Sequence, residues 1–321
     1  MHLKVQTAIR NTAGLQKRTK FSAAMACIKR DYQLYLILIP FLIYMAVFVY
    51  KPMYGLQIAF KDYSIFKGIE ASPWNGLKNF EAFFSGPYFW PTLKNTLLIS
   101  CYALAFGFPF PILLAILFNE IPFKRFKSIT QTMSYLPHFI SAVVIAGIVT
   151  NFLSPSYGLL NLIIEKFGGE KQYFLTKPEY FRPIYTAMNV WKEAGFGSVI
   201  YLAALSAIDT QLYEAAVIDG AGKWQQIRHV TLPGIRPTVV IMLLMNLGNV
   251  LNVGYETIIL LYQPVTYETA DVISTYVYRL GLINGDYATA TAAGFFNSVA
   301  ALALTVVANQ ISRKVSEISL W

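Results

Sequence analysis

Charge is what this sequence has least of. Only 13% of its 321 residues are charged, against about 25% in soluble domains. A water-soluble chain of this length has too little interior to hide 55% hydrophobic residues, with 23 Phe and 21 Tyr among its aromatics, so lipid is its natural solvent. Cysteine is scarce too. Cys27 and Cys101 make neither a disulfide framework nor a metal pattern, and Cys101, set in an apolar run, is expected to be a small buried residue. The three histidines, His2, His138 and His229, are scattered and offer no ligand pair; His138 is expected to cap or pack at the end of a span. No glycine-rich loop ends in Gly-Lys-Ser/Thr, and Gly168-Gly169-Glu170-Lys171 lacks the spacing, so the chain does not hold ATP by that mechanism. No catalytic constellation, internal repeat or low-complexity tract is found, and the chain is not expected to be an enzyme.

What is present is a set of long apolar runs. A span needs about 20 mostly apolar residues, and the candidates are 33–51, 92–118, 131–153, 183–207, 237–262 and 287–311. The expected fold is all-α, a polytopic membrane protein with about six transmembrane helices. Pro109 and Pro111 predict a kink in the second. The chain then divides into a basic tail at 1–32, a transmembrane domain at 33–311 and a short tail at 312–321. The N-terminus is basic but has no early apolar core and no small-residue cleavage site, so it reads as a tail rather than a signal peptide.

Lys and Arg set the orientation. The tail holds Lys4, Arg10, Lys17, Arg18, Lys20, Lys29 and Arg30. With the tail inside, the inner loops add Lys124, Arg125, Lys127, Lys223, Arg228, Arg236, Arg313 and Lys314, while most acids fall outside. The expected location is a bacterial cytoplasmic membrane with both termini cytoplasmic. Placed this way, the net charge of +9 argues for membrane topology and against nucleic acid. The outer segments 52–91 and 154–182 are aromatic-rich, as headgroup belts are.

Between the fourth and fifth spans the sequence changes character. Residues 214–234 read EAAVIDGAGKWQQIRHVTLPG. Asp209 suits an N-cap, Ala215 and Ala216 admit close approach, and Gly220 permits a positive φ and a sharp turn. After the turn Trp224, Ile227 and Val230 form an apolar stripe, which Pro233 and Pro237 are expected to stop before the next span. The product is a helix–turn–helix elbow over 208–236, too short to cross a membrane; physics alone also allows an interfacial helix lying among headgroups.

The spacing Glu214-Ala215-Ala216, Gly220, Val230, Leu232-Pro233 resembles the signature loop of permease subunits in ATP-binding-cassette importers, with Val230 where that family often has Ile. Residues 74–80 (WNGLKNF), Asn119-Glu120, 126–127 (FK), 135–141 (YLPHFIS) and 271–278 (DVISTYVY) look like a carbohydrate subgroup that handles oligosaccharides, and the likeness covers roughly 30–315. The resemblance implies a noncatalytic membrane subunit working with a second permease, two nucleotide-binding ATPase subunits that hold ATP and Mg2+, and an outside solute-binding protein. It also implies that Glu214, Ala215, Ala216, Gly220, Lys223, Trp224, Leu232 and Pro233 dock an ATPase subunit.

The fifth run carries Asn246, Asn249 and Asn252, followed by Tyr255. Steps of three keep the amides on one helical face, and amides do not face lipid cheaply. They either hydrogen-bond neighbouring helices or line a path for sugar hydroxyls. Asn189, Trp191, Glu193 and Asn297 are further candidates for that path, although Glu193 has Lys192 beside it as a ready partner. An amide-rich lining favours an acidic oligosaccharide, and the resemblance implies alginate oligosaccharide as the expected example. Two other classes compete. An ion-coupled secondary transporter needs buried ionisable groups at mid-depth, and spans two, three and six show no acid there. A membrane glycosyl or acyl transferase needs clustered His, Asp and Glu.

Overall fold

The computed structural model describes residues 30–316. Most of the basic tail, including Cys27, and positions 317–321 lie outside the described residues. Helices dominate, and among the described residues the only β-pairing is one isolated bridge between Lys61 and Trp74. Two compact units divide at Gln57 and Ile58.

The first unit holds most of α1, Tyr32–Phe60. Pro40 sits inside its regular part, and a π turn at Met45–Tyr50 follows. The second unit contains α2 (Phe89–Glu120), α3 (Lys124–Phe139), α4 (Ala142–Phe152), α5 (Pro178–Ser206), α6 (Thr210–Ile218), α7 (Lys223–Gly248), α8 (Tyr255–Leu261), α9 (Ile273–Tyr278) and α10 (Tyr287–Ser316). Among the described residues α1, α2, α7 and α10 are long and apolar enough to cross a membrane, and α3 with α4 makes a fifth crossing if the bent pair is one span. Helix α5 has 29 residues, long enough to span, but Glu179, Arg182, Lys192 and Glu193 make it more polar.

Three expectations about continuity are corrected. The run 131–153 is not one helix: α3 and α4 meet at 103°. Pro137 lies in the 3-10 turn that closes α3, and Ser141 caps α4 by accepting from the Val144 N–H at 3.4 Å. The run 237–262 breaks after Gly248, and helix resumes at Tyr255. Pro233 and Pro237 do not stop the elbow's second arm, because Lys223–Gly248 is one helix of 26 residues.

A π turn explains how proline is tolerated. Such turns occupy Met45–Tyr50, Ala103–Gly107 and Ile227–Thr231, just upstream of Pro52, Pro109 and Pro233. In each, the residue before the proline donates five residues back: Lys51 to Ala46, Phe108 to Ala103, and Leu232 to Ile227. A proline has no N–H and its ring crowds the carbonyl four residues back. Slipping the register by one widens the helix at that point and lets it continue.

Helices α2 and α5 hold the second unit together. Ile99, Ile145, Tyr185 and Ile258 join α2, α4, α5 and α8 in one core. Ala115, Tyr201, Leu205 and Ile235 join α2, α5 and α7 in another. Helix α5 approaches α3 so closely at Gly195 that a Cβ there would stand 1.9 Å from the Ser134 carbonyl oxygen; only glycine fits such a crossing. Cys101 is exposed, contrary to expectation. Lipid takes the place of a protein interior for many apolar side chains of a membrane helix, so an apolar run does not mark burial within the chain.

Candidate functional site

The elbow is built by local chemistry. The Asp209 carboxylate accepts from the Gln211 N–H at 2.9 Å, starting α6. Gly220 ends the turn with φ +80. There the Ala221 N–H reaches the Ala216 carbonyl at 2.8 Å and the Gly220 N–H reaches Val217 at 3.0 Å, the paired bonds of a Schellman cap. The Gly222 N–H donates to Gln225 Oε1 at 2.8 Å, opening α7. The two arms are then strapped together. The Tyr213 and Thr231 hydroxyls lie 3.0 Å apart, and buried Gln226 donates to the Ala221 carbonyl at 2.9 Å. Lys223 pairs with Glu120 at the end of α2, 3.0 Å away; this is an exposed pair, worth at most about 1 kcal/mol.

The elbow leaves much apolar surface uncovered. Ile218 is 85% and Trp224 73% exposed. Glu214, Ala215, Leu232 and Pro233 are exposed and Ala216 is half-buried. Glu214, Tyr213 and Lys223 also border a groove of about 780 Å³ that runs to Asn119 and Glu120. Asn119-Glu120 and the elbow, far apart in sequence, thus form one surface.

At the far end of α7 lies a second feature. A cavity of about 360 Å³ is lined by Asn189 and Glu193 of α5, Asn246 of α7, and Asn249 and Asn252 of the non-helical stretch that follows. Ser100 of α2 closes one side. The Asn246 and Asn249 amide nitrogens donate to the Met242 and Met245 carbonyls at 2.8 and 3.3 Å, which leaves their oxygens to accept from hydroxyls. The three asparagines do line one cavity, but not as a helical face, since helix ends at Gly248.

Three elements hold the non-helical stretch. Ser100 Oγ donates to the Val250 carbonyl. Asn297 of α10 donates to the Leu251 carbonyl at 3.4 Å, and Ser274 of α9 donates to Val253 at 3.2 Å. Asn297 therefore stands behind the cavity wall, also 3.4 Å from Asn252 Oδ1. Two other candidates lie apart from this cavity. Trp191 lines a separate apolar groove of about 760 Å³ with Tyr102 and Phe110, and Tyr255 pairs with the Tyr278 ring at 6.3 Å.

The Lys192–Glu193 pair was expected, but sequence reasoning overlooked the addition of His138 to it and a second cluster around Asp271. His138 Nδ1 lies 2.7 Å from Glu193 Oε2, while Lys192 Nζ lies 3.2 Å from Oε1. Elsewhere Asp271 binds Arg279 through both oxygens, at 3.0 and 2.6 Å, and accepts from Thr275 at 2.8 Å. The Tyr267 ring stands 4.8 Å from the guanidinium carbon. Burial opposes the charge on Arg279, but the Asp271 carboxylate more than offsets it and drives the guanidinium pKa upward. The spacing of Asp271, Thr275 and Arg279 at intervals of four was the available signal.

Residues 107–317 match the family described as the inner membrane component of binding-protein-dependent transport systems. The chain belongs to this family. The permease is 44% identical over 288 residues to the polygalacturonan/rhamnogalacturonan transport system permease YteP of Bacillus subtilis, covering 90% of each chain. It is 41% identical to LplB of the same organism, covering 92% of this chain and 93% of that one. It is also 51% identical, with a TM-score of 0.85, to a chain in the crystal structure of a bacterial ABC transporter involved in the import of the acidic polysaccharide alginate, covering 92% of this chain and 99% of that one. A similar match, at 50% identity, is to a chain of the alginate transporter in complex with an alginate pentasaccharide-bound periplasmic protein.

Proposed function

We propose that the permease is one of two membrane subunits of an importer that moves an acidic oligosaccharide, such as alginate oligosaccharide, into the cytoplasm. Two separate ATPase subunits, binding ATP and Mg2+, drive it, and an outside solute-binding protein delivers the cargo. Both termini face the cytoplasm. The observation that carries this reading is the continuity of α7, which has Lys223 and Trp224 of the elbow at one end and Asn246 of the amide cavity at the other. The alginate and polygalacturonan/rhamnogalacturonan transporters among its relatives support an acidic cargo.

In this reading the exposed elbow docks on an ATPase subunit. Glu214 makes polar contacts there, Ala215 and Ala216 allow close approach, and Trp224 packs against it. Gly220 and its cap keep the two arms at a fixed angle. Leu232 and Pro233 carry α7 past its π turn toward the cavity. Closure of the ATPase dimer on ATP moves the elbow, and the helix carries that motion to the asparagines, whose acceptor oxygens release sugar hydroxyls as the wall shifts.

The test uses the complete transporter, purified in mild detergent after crosslinking and reconstituted in vesicles. A second permease and a nucleotide-binding subunit should copurify with the chain. Gly220→Val, a β-branched residue forced to positive φ, and Glu214→Lys should reach the membrane at normal levels. Uptake should fall about tenfold or more, and ATP hydrolysis should no longer respond to loaded binding protein. Wild-type uptake by both variants would remove the coupling role, and a chain that purifies only with itself would remove the importer.

A further inference from the structure

Among the described residues, Glu193 is the only carboxylate lining the amide cavity. A bare carboxylate in that wall would repel an anionic cargo, yet this one is compensated on both oxygens. Lys192 Nζ stands at 3.2 Å from Oε1 and His138 Nδ1 at 2.7 Å from Oε2. His138 comes from the bend between α3 and α4, and its ring lies flat on Phe196 of α5, with centroids 4.2 Å apart and planes 5° apart. Lys192, Glu193 and Phe196 share one face of α5, so the helix presents the lysine, the carboxylate and a platform for the imidazole together. The 3-10 turn that closes α3 and carries His138 packs on α5 and on the preceding part of α3. The basic residues of α3, Lys124, Arg125 and Lys127, sit at its opposite end; α4 has no charged residue; and Glu179 and Arg182 lie nearer the start of α5. Among the described residues, the ion pairs made at Glu193 join it to His138 and Lys192 alone.

We infer that His138 and Lys192 are specificity-determining residues that fit the Glu193 wall of the cavity to a carboxylate-bearing sugar. This rests on the importer reading above and deepens it. Lys192 cancels the charge of Glu193, and His138 occupies its second oxygen. A sugar carboxylate then enters the cavity without meeting an uncompensated anion, while a neutral sugar binds through its hydroxyls to the amides and is indifferent to the pairing. The trio therefore fits the cavity to acidic cargo.

The experiment is equilibrium binding to the complete transporter in nanodiscs with two probes. One is a radiolabelled oligouronate, and the other is the same oligosaccharide with its carboxyl groups reduced to alcohols. Lys192→Gln should weaken oligouronate binding about tenfold, because Glu193 is left uncancelled, and leave the reduced probe unaffected. His138→Ala, which frees the second carboxylate oxygen, should also weaken the oligouronate alone, while His138→Gln, whose amide preserves a hydrogen bond to Glu193, should keep both affinities. Wild-type oligouronate binding by both Lys192→Gln and His138→Ala, or an equal loss for both probes, overturns the inference. If both probes bind alike and both stimulate ATP hydrolysis, the importer stands and the charge assignment falls. If neither probe binds nor stimulates ATP hydrolysis, the importer reading falls and takes the inference with it.

Discussion

Asp271 is 4% exposed and gives both its oxygens to Arg279. Such a pair adds little net stability, because two desolvated charges cost about what their attraction returns, but losing one partner strands the other. The surroundings raise the stakes here. Asn95 of α2 donates to the Asp271 carbonyl at 2.9 Å, and Arg182 of α5 donates to Asn95 at 2.8 Å. Asp271 thus ties α2 and α5 together through its backbone carbonyl and holds Thr275 of α9 and Arg279 through its carboxylate. Asp271→Asn should destabilise the solubilised protein by about 3 kcal/mol, read as a lower thermal midpoint. Asp271→Asn with Arg279→Met should recover most of the loss. A single variant as stable as wild type would show that the guanidinium finds other partners among Tyr88, Tyr267 and Tyr276.

At the scale of elements, α7 matters as one body. Its π turn at Ile227–Thr231 joins the elbow arm to the cavity arm without ending the helix. Two glycines inserted between Thr231 and Leu232 should leave both arms folded but separate their motions. Basal ATP hydrolysis should persist while uptake falls about tenfold, since glycine weakens a helix by about 1 kcal/mol per residue. Undiminished uptake would mean that the arms move independently in the wild type. The legibility of the sequence divides along the same line. The Asp209 cap and the Gly220 turn were readable because each rests on a few adjacent residues. Pro233 was misread as a stop because a π turn is a change of register, which no count of prolines reveals. Asn246, Asn249 and Asn252 line one cavity, but steps of three hid the break after Gly248, because amides so spaced look helical whether or not the backbone continues. The link between His138 and Glu193 spans 55 positions, and only the packing of the α3–α4 bend on α5 brings them together.

For the whole molecule, the distribution of Lys and Arg gives the proposed orientation, with the elbow inside and the aromatic segment around Phe66 outside. Phe66 is 97% exposed and Trp224 73%, so cysteines at these positions are open to reagent. In a background lacking Cys27 and Cys101, Phe66→Cys in intact cells with a permeable outer envelope should react with a membrane-impermeant maleimide. Trp224→Cys should react only after the cells are opened. The reverse pattern would invert the chain and take the elbow away from any cytoplasmic ATPase. The family match over 107–317 and the helical architecture agree with the reading of the sequence as a membrane permease. The arrangement of spans was less legible, because α5 is long but polar and the α3–α4 run is bent.

The clasps on residues 249–254 also set an order in time. The Val250 carbonyl is taken by Ser100, a residue made 150 positions earlier, but the Leu251 carbonyl waits for Asn297, made 46 positions later. During synthesis, which proceeds from the N-terminus, the wall that carries Asn249 and Asn252 stays unfinished until α10 has entered the membrane. A nascent chain interrupted before that helix has an elbow but an incomplete cavity. The exposed surface of the elbow, on which we propose that an ATPase docks, is therefore complete sooner than the amide-lined cavity.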